Sequence, residues 1–170
     1  KACAISAAAL KAGGEAIEPG ITTAEIDKII YDFIVRHGAR PNFLHLYGFP
    51  ATACISVNDT VIHGIPNKQQ QIRPGDIVSI DTGCKIDGFN GDNACTYACG
   101  KIDLEAQRLL DVTKESLHRG IEMARGGNRV GDIGHAVQPY VEENGFSVVR
   151  SFVGHGVGKD FHLEPFVPHV

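Results

Sequence analysis

The chain has 170 residues, 43% of them apolar, which suits one domain with a sizeable core. Sixteen basic against twenty acidic residues leave a net charge of −4, which argues against nucleic acid or an anionic membrane as the main partner. No apolar run approaches the ~18 residues of a membrane span, and the five cysteines include no CxxC pair, so a reducing cytosol is a simpler compartment than one that forms disulfides.

The opening ACAISAAAL resembles the apolar region of a secretory signal, but it runs straight into Lys11 and Glu15 on a helical pattern. The spacing predicts a helix over 1–17, stopped by the breaker pair Pro19-Gly20. Thr22 or Thr23 then caps a second helix, with Ile26, Ile29, Ile30, Phe33 and Ile34 as its apolar stripe. Residues 38–50 are aromatic-rich and irregular. Strands are predicted over 53–57, 76–85 and 93–98, and helices over about 103–124 and 130–143. A strand-like SVVRSFV, 147–153, leads into a Gly- and His-rich end. The chain lacks an initiator methionine and begins inside a helical pattern, so it reads as a piece cut at both ends.

A repeat at an offset of 107 residues aligns Leu10, Gly13, Glu15, Gly20, Ile26 and Gly38 with Leu117, Gly120, Glu122, Gly127, Ile133 and Gly145. The matches fall at the same points of two helix–breaker–helix units. They predict an α+β domain of two duplicated halves, the first over about 1–100 and an incomplete second over about 101–170. Any hairpin around Asp81 should then have a counterpart near position 188, beyond Val170.

Asp87-Gly88 lies between two strand-like runs and signals a two-residue type I′ hairpin. With that turn, Ile86 pairs with Phe89, Asp81 faces Ala94 and Asp92 faces Gly83, so both aspartates lie on one face as diagonal neighbours. Two such anions repel and lose hydration, a liability that a divalent cation or a pair of them turns into a site of hard oxygen ligands. The plainer alternative is that Asp81 ends a strand and Asp92 sits in a solvated turn. A three-residue loop, or a bulge at Gly91, would move Asp92 to the opposite face.

His155 lies in Gly154-His155-Gly156-Val157-Gly158, where the glycines allow close approach and neutral imidazole suits a transition metal. His162 follows seven residues later, a spacing that does not fit the helical i, i+4 zinc pair. His63, in VIHGIP, is by itself more simply a hydrogen-bonded structural histidine.

Three stretches, CISVNDTVIHGIP (54–66), GDIVSIDTGCKIDGFNGD (75–92) and FVGHGVGKDFHLEPFVPHV (152–170), resemble type I methionine aminopeptidases, metallopeptidases with the pita-bread fold, in order and spacing. The likeness covers nearly all the chain. It implies a pita-bread domain of pseudo-twofold repeated halves, an antiparallel sheet covered by helices, with a single catalytic domain over 1–170 that lacks its C-terminal part. It further implies Asp81, Asp92 and His155 as metal ligands, Asp92 bridging two ions (Co, Mn, Fe, Zn or Ni), and two glutamate ligands beyond Val170. His63 and His162 match the family's two histidines that contact the scissile peptide. The methionine pocket maps onto Phe43, Leu46, Phe49, Cys54 and Phe161. Of these, Phe43, Leu46 and Phe49 replace residues that are often Cys or Tyr, and Asn90 stands where His is frequent. Cys84, Cys95 and Cys99 are expected to pack, and Thr60, Arg73 and Lys85 have no role assigned.

The activity implied is hydrolytic removal of the N-terminal methionine from nascent proteins in the cytoplasm, with the ribosome as one place of encounter. Neither a membrane nor sequence-specific nucleic acid is an expected partner. A piece lacking the two glutamates is expected to have weak metal binding and little activity. An Xaa-Pro aminopeptidase or creatinase is the nearest rival. A metal-free binding module that kept the fold is the rival of a different class.

Overall fold

In the computed structural model, which describes residues 1–170, the alanine-rich opening is helical over Ala2–Glu15 (α1). The second helix, Thr23–Arg36 (α2), starts at a full capping box. Glu25 N–H donates to the Thr22 hydroxyl at 3.2 Å, and Thr22 N–H donates to the Glu25 carboxylate at 2.8 Å. Its inward stripe is narrower than predicted. Ile26, Ile30 and Ile34 are fully buried, while Ile29 and Phe33 lie at the margin.

The strands that follow are Arg40–Pro41 (β1), Ala53–Val57 (β2), Ile77–Ile86 (β3) and Phe89–Ala98 (β4), with one 3₁₀ turn at Leu46–Gly48. All pairings are antiparallel, and β3 is central, with β1 and β2 along one edge and β4 along the other. Every residue of β2 is buried. Its Ala53, Ile55 and Val57, with Val78 and Ile80 of β3, share one core with Leu10 of α1 and the α2 isoleucines. These elements, with Val157–Phe161, make one compact unit, Lys1–Asp103 plus that loop.

A second unit comprises Leu104–Gly156 and His162–Val170. It contains Leu104–Met123 (α3), Val130–Glu143 (α4) and a small hairpin of Gly154–Gly156 (β5) with Leu163–Val167 (β6). Residues 147–153 form no strand, contrary to the sequence pattern. β-propensity is expressed only where a neighbour offers a ladder, and pairing begins only at Gly154.

Inside each unit the helix pair is built on the same device. A Cβ at Gly13 would lie 2.7 Å from Ile30 Cδ1, and one at Gly120 would lie 3.2 Å from Val137 Cγ2, its counterpart at the repeat offset. At Gly13 an added Cβ would require Ile30 to move, and at Gly120 it would press on Val137 and Ile133 more tightly than usual, so glycine eases the crossing of the following helix in both units. Arg129 N–H donates to Asp132 at 2.7 Å, as Thr22 N–H does to Glu25, but arginine has no acceptor to complete the box.

Packing of α2 generates the first test. Ile30→Ala is expected to cost about 3 to 4 kcal/mol, and Ile29→Ala about 1 kcal/mol or less, in urea unfolding of the full-length protein. Equal costs would contradict the stripe described here.

Candidate metal and peptide site

The Asp87-Gly88 turn is of the predicted hairpin kind, with both residues at positive φ, 52° and 82°. Its register pairs Ile86 with Phe89, Asp81 with Ala94 and Gly83 with Asp92. No bulge intervenes at Gly91, so Asp81 and Asp92 share a face as diagonal neighbours. Gly91 instead allows close approach of α1, since a Cβ there would lie 2.5 Å from the Cys3 nitrogen.

Burial pushes the Asp81 carboxyl well above the usual carboxylate range. The Asp92 charge and a hydrogen bond between the two side chains push it in the same direction. Two hard oxygen donors on one face, whose ionisation is opposed by burial and by each other's charge, form a fitting ligand set for a divalent cation. Cys54 of β2 lies opposite Asp81 on the other edge of β3 and is buried. Desolvation first, then the charges of Asp81, Asp92 and Asp27, push its thiol up to about 12, so it stays neutral and behaves as a small apolar wall.

Beside this face, Phe43 is buried and meets Phe161 edge-on, with ring centroids 5.6 Å apart. A tight turn links Phe43, Leu46 and Phe49, because Leu46 N–H donates to Phe43 O and Phe49 N–H to Leu46 O, each at 2.9 Å. The start of β2 is anchored by Asp27 of α2, which accepts from Thr52 N–H at 2.9 Å and Ala53 N–H at 2.8 Å. His63 is exposed and sits at φ 54°, a left-handed conformation that costs a non-glycine residue energy. Gly64 holds it there. Its carbonyl accepts from Ile55 N–H at 2.9 Å and its N–H donates to Ser56 Oγ at 3.0 Å. A Cβ on Gly64 would lie 2.2 Å from the Ile55 oxygen.

In the second unit, His155 of β5 is partly buried, with Nδ1 3.0 Å from Gly156 O. Its ring centroid is 4.5 Å from that of His162, at 66°. The three ligands expected from the sequence are thus divided, Asp81 and Asp92 in the first unit and His155 in the second. No group of three or more His, Cys, Asp or Glu side chains is gathered closely enough to hold a metal ion. The His155–His162 pairing was not anticipated, since their spacing in sequence fits no helical motif.

Other differences concern the flanks. Cys84 and Cys99 are buried as expected, but Cys95 is exposed, although it pairs with the core residue Ile80. Lys85 and Asn90 were not recognised as structural, yet both donate to the 157–161 loop. Side-chain donors to a distant backbone leave no periodic trace in a sequence. Asn42 Nδ2, Thr82 Oγ1 and Asn93 Nδ2 are buried polar atoms without a hydrogen-bond partner.

Residues 1–169 match metallopeptidase family M24. A methionine aminopeptidase of Clostridium perfringens is 53% identical over 155 residues, 91% of this chain and 62% of that protein. The crystal structure of methionine aminopeptidase from Rickettsia prowazekii superposes with a TM-score of 0.94 at 38% identity, over 97% of this chain and 66% of that one. Prolidase from Pyrococcus furiosus, at TM-score 0.86 and 22% identity over 99% of this chain and 48% of that one, shares the fold. That fold is the pita-bread arrangement expected from the sequence. The chain spans about 62% of the length of the Clostridium relative.

The carboxylate pair makes a prediction about stability. A carboxyl whose native pKa is raised binds its proton more tightly in the folded protein than in the unfolded chain. Its stabilising contribution is complete below about pH 4 and is lost as pH rises through the native value. The metal-free full-length protein should therefore lose stability from about pH 4 towards neutrality. Asp81→Asn should flatten that decline and stabilise the metal-free fold at pH 7 by roughly 1 to 3 kcal/mol. Thermal melts at a series of pH values decide it. A variant that is less stable at pH 7 would refute the account of the pair.

Proposed function

The chain belongs to metallopeptidase family M24, and from that premise we propose that the whole protein is a methionine aminopeptidase that hydrolyses the first peptide bond of nascent polypeptides in the cytoplasm. The observation that carries this is the shared face of Asp81 and Asp92, with the edge-on contact of Phe43 and Phe161 in the same unit. No helix is long and apolar enough to cross a membrane, which is compatible with that setting.

Divalent metal use goes with the family. In our reading two ions would be held, with Asp81, Asp92 and His155 as this chain's ligands; Co, Mn, Fe, Zn and Ni all suit such donors. The chemistry these ions supply when bound is a water acidic enough to attack at neutral pH and a polarised scissile carbonyl. Glutamates beyond Val170 complete the ligand set.

The residues of this chain bind and orient the peptide. Phe43, Leu46, Phe49, Cys54 and Phe161 enclose the first side chain. A neutral Cys54 and aromatic walls favour a long unbranched apolar group such as that of methionine. His63 and His162 each donate a hydrogen bond to the scissile peptide where negative charge develops. The backbone at Gly64 fixes the approach of His63, since its packing against Ile55 leaves no room for a side chain. A ribosome-borne chain is the natural source of such an N-terminus.

The full-length protein loaded with Mn²⁺ or Co²⁺ should release methionine from Met-Ala-Ser and leave Ala-Pro peptides intact. Cleavage of Ala-Pro peptides alone would instead favour an Xaa-Pro peptidase on the same fold. His63→Ala and His162→Ala should each lower kcat by roughly 10²–10³, the usual loss for one donor to a developing oxyanion. A change below about threefold for both would remove them from the transition state.

A further inference from the structure

The loop of residues 157–161 forms bends only, yet it carries Phe161. It belongs to the first unit, where it lies along the turn end of the β3–β4 hairpin. Asn90, buried at 6% exposure in β4, meets it with both backbone and side chain. Its backbone N–H donates to Gly158 O at 2.8 Å. Its Nδ2 donates to Gly158 O at 2.9 Å and to Lys159 O at 3.0 Å. Lys85, the cross-strand partner of Asn90, adds a bond from Nζ to Lys159 O at 3.1 Å. Two successive carbonyls are thereby held by donors from both strands of the hairpin.

The residue type matters for this. One amide nitrogen carries two hydrogens and serves two carbonyls at once, while an imidazole offers one N–H per ring nitrogen and a carboxylate none. Two residues further on, Phe161 touches the same hairpin. A Cβ at Gly83 would lie 3.2 Å from its Cε2 atom. Side chains of Lys85 and Asn90 share the face of Asp81, Gly83 and Asp92, so the loop runs along the face that bears the carboxylates.

We infer that Asn90 is a positioning residue for substrate selectivity: it fastens the 157–161 loop to the carboxylate hairpin and so fixes the Phe161 ring against Phe43. The link to selectivity rests on the proposed use of that aromatic pair as a pocket wall. The fastening itself does not.

The full-length protein is compared with its Asn90→Ala and Asn90→His variants in two measurements. One is amide hydrogen exchange across 158–161 without added metal. The other is steady-state hydrolysis of Met-Ala-Ser with Mn²⁺. Loss of two buried hydrogen bonds should speed exchange in that segment by about tenfold in Asn90→Ala, with exchange in α2 unchanged. KM should rise roughly tenfold while kcat changes by less than about twofold, since the pocket and not the reacting centre is loosened. Asn90→His, which keeps one donor, should fall between. Unchanged exchange in Asn90→Ala overturns the proposal, and so does faster exchange with an unaltered KM. Should Asn90→Ala not fold, Lys85→Met removes one donor and must shift both readouts the same way by less; no shift counts against us. A wild-type protein that does not cleave Met-Ala-Ser sinks the proposed function alone, because the exchange result then decides the fastening by itself.

Discussion

Two carboxylates held on one face of a two-stranded ribbon are what the rest of this structure serves. Strand register is a parity condition: a slip of one residue between β3 and β4 would send Asp81 and Asp92 to opposite faces. The Asp87-Gly88 turn sets that parity, and ten consecutive pairs from Ile77–Ala98 to Ile86–Phe89 keep it. Keeping it is costly without a cation, since burial and mutual repulsion both disfavour the ionised pair. In the function proposed above, that cost falls where a bound cation would relieve it, the usual trade between stability and activity.

The surrounding elements fall into place around that ribbon. α1 can lie against β4 because Gly91 has no side chain to keep the Cys3 backbone away. β2 flanks β3 on the other side and brings Cys54 opposite Asp81, while Asp27 ties the start of β2 to α2. Gly64 locks the His63 backbone to β2 in a conformation that a free loop would avoid. In the function proposed above, the contacts at β2 and Gly64 set the positions of Cys54 and His63, groups that touch substrate, and none of them is itself chemical.

Much of this was legible in the residues. The hairpin register followed from a two-residue turn and a period of two, and the second helix followed from Thr22, Glu25 and an isoleucine stripe. The repeat was also readable, and its physical basis is now visible in Gly13 and Gly120, each pressed against the helix that follows. What failed did so for identifiable reasons. SVVRSFV has the composition of a strand, but pairing begins only at Gly154. Cys95 alternates as a core residue would and pairs with buried Ile80, yet it is exposed because β4 has a neighbour on one edge only. Asn90 registered only as an unusual neighbour of Asp92, because its function is to hold carbonyls nearly seventy positions away. Contacts of that range have no local pattern. The roles of His155 and His162 rest on resemblance, since neither spacing nor period singles them out.

The most direct measurement is an anomalous difference map from crystals of the full-length protein grown with Mn²⁺. The account predicts a peak within coordinating distance of carboxylate oxygens from both Asp81 and Asp92, about 2.0 to 2.3 Å away. Manganese bound elsewhere, with the two aspartates still sharing a hydrogen bond, would contradict it.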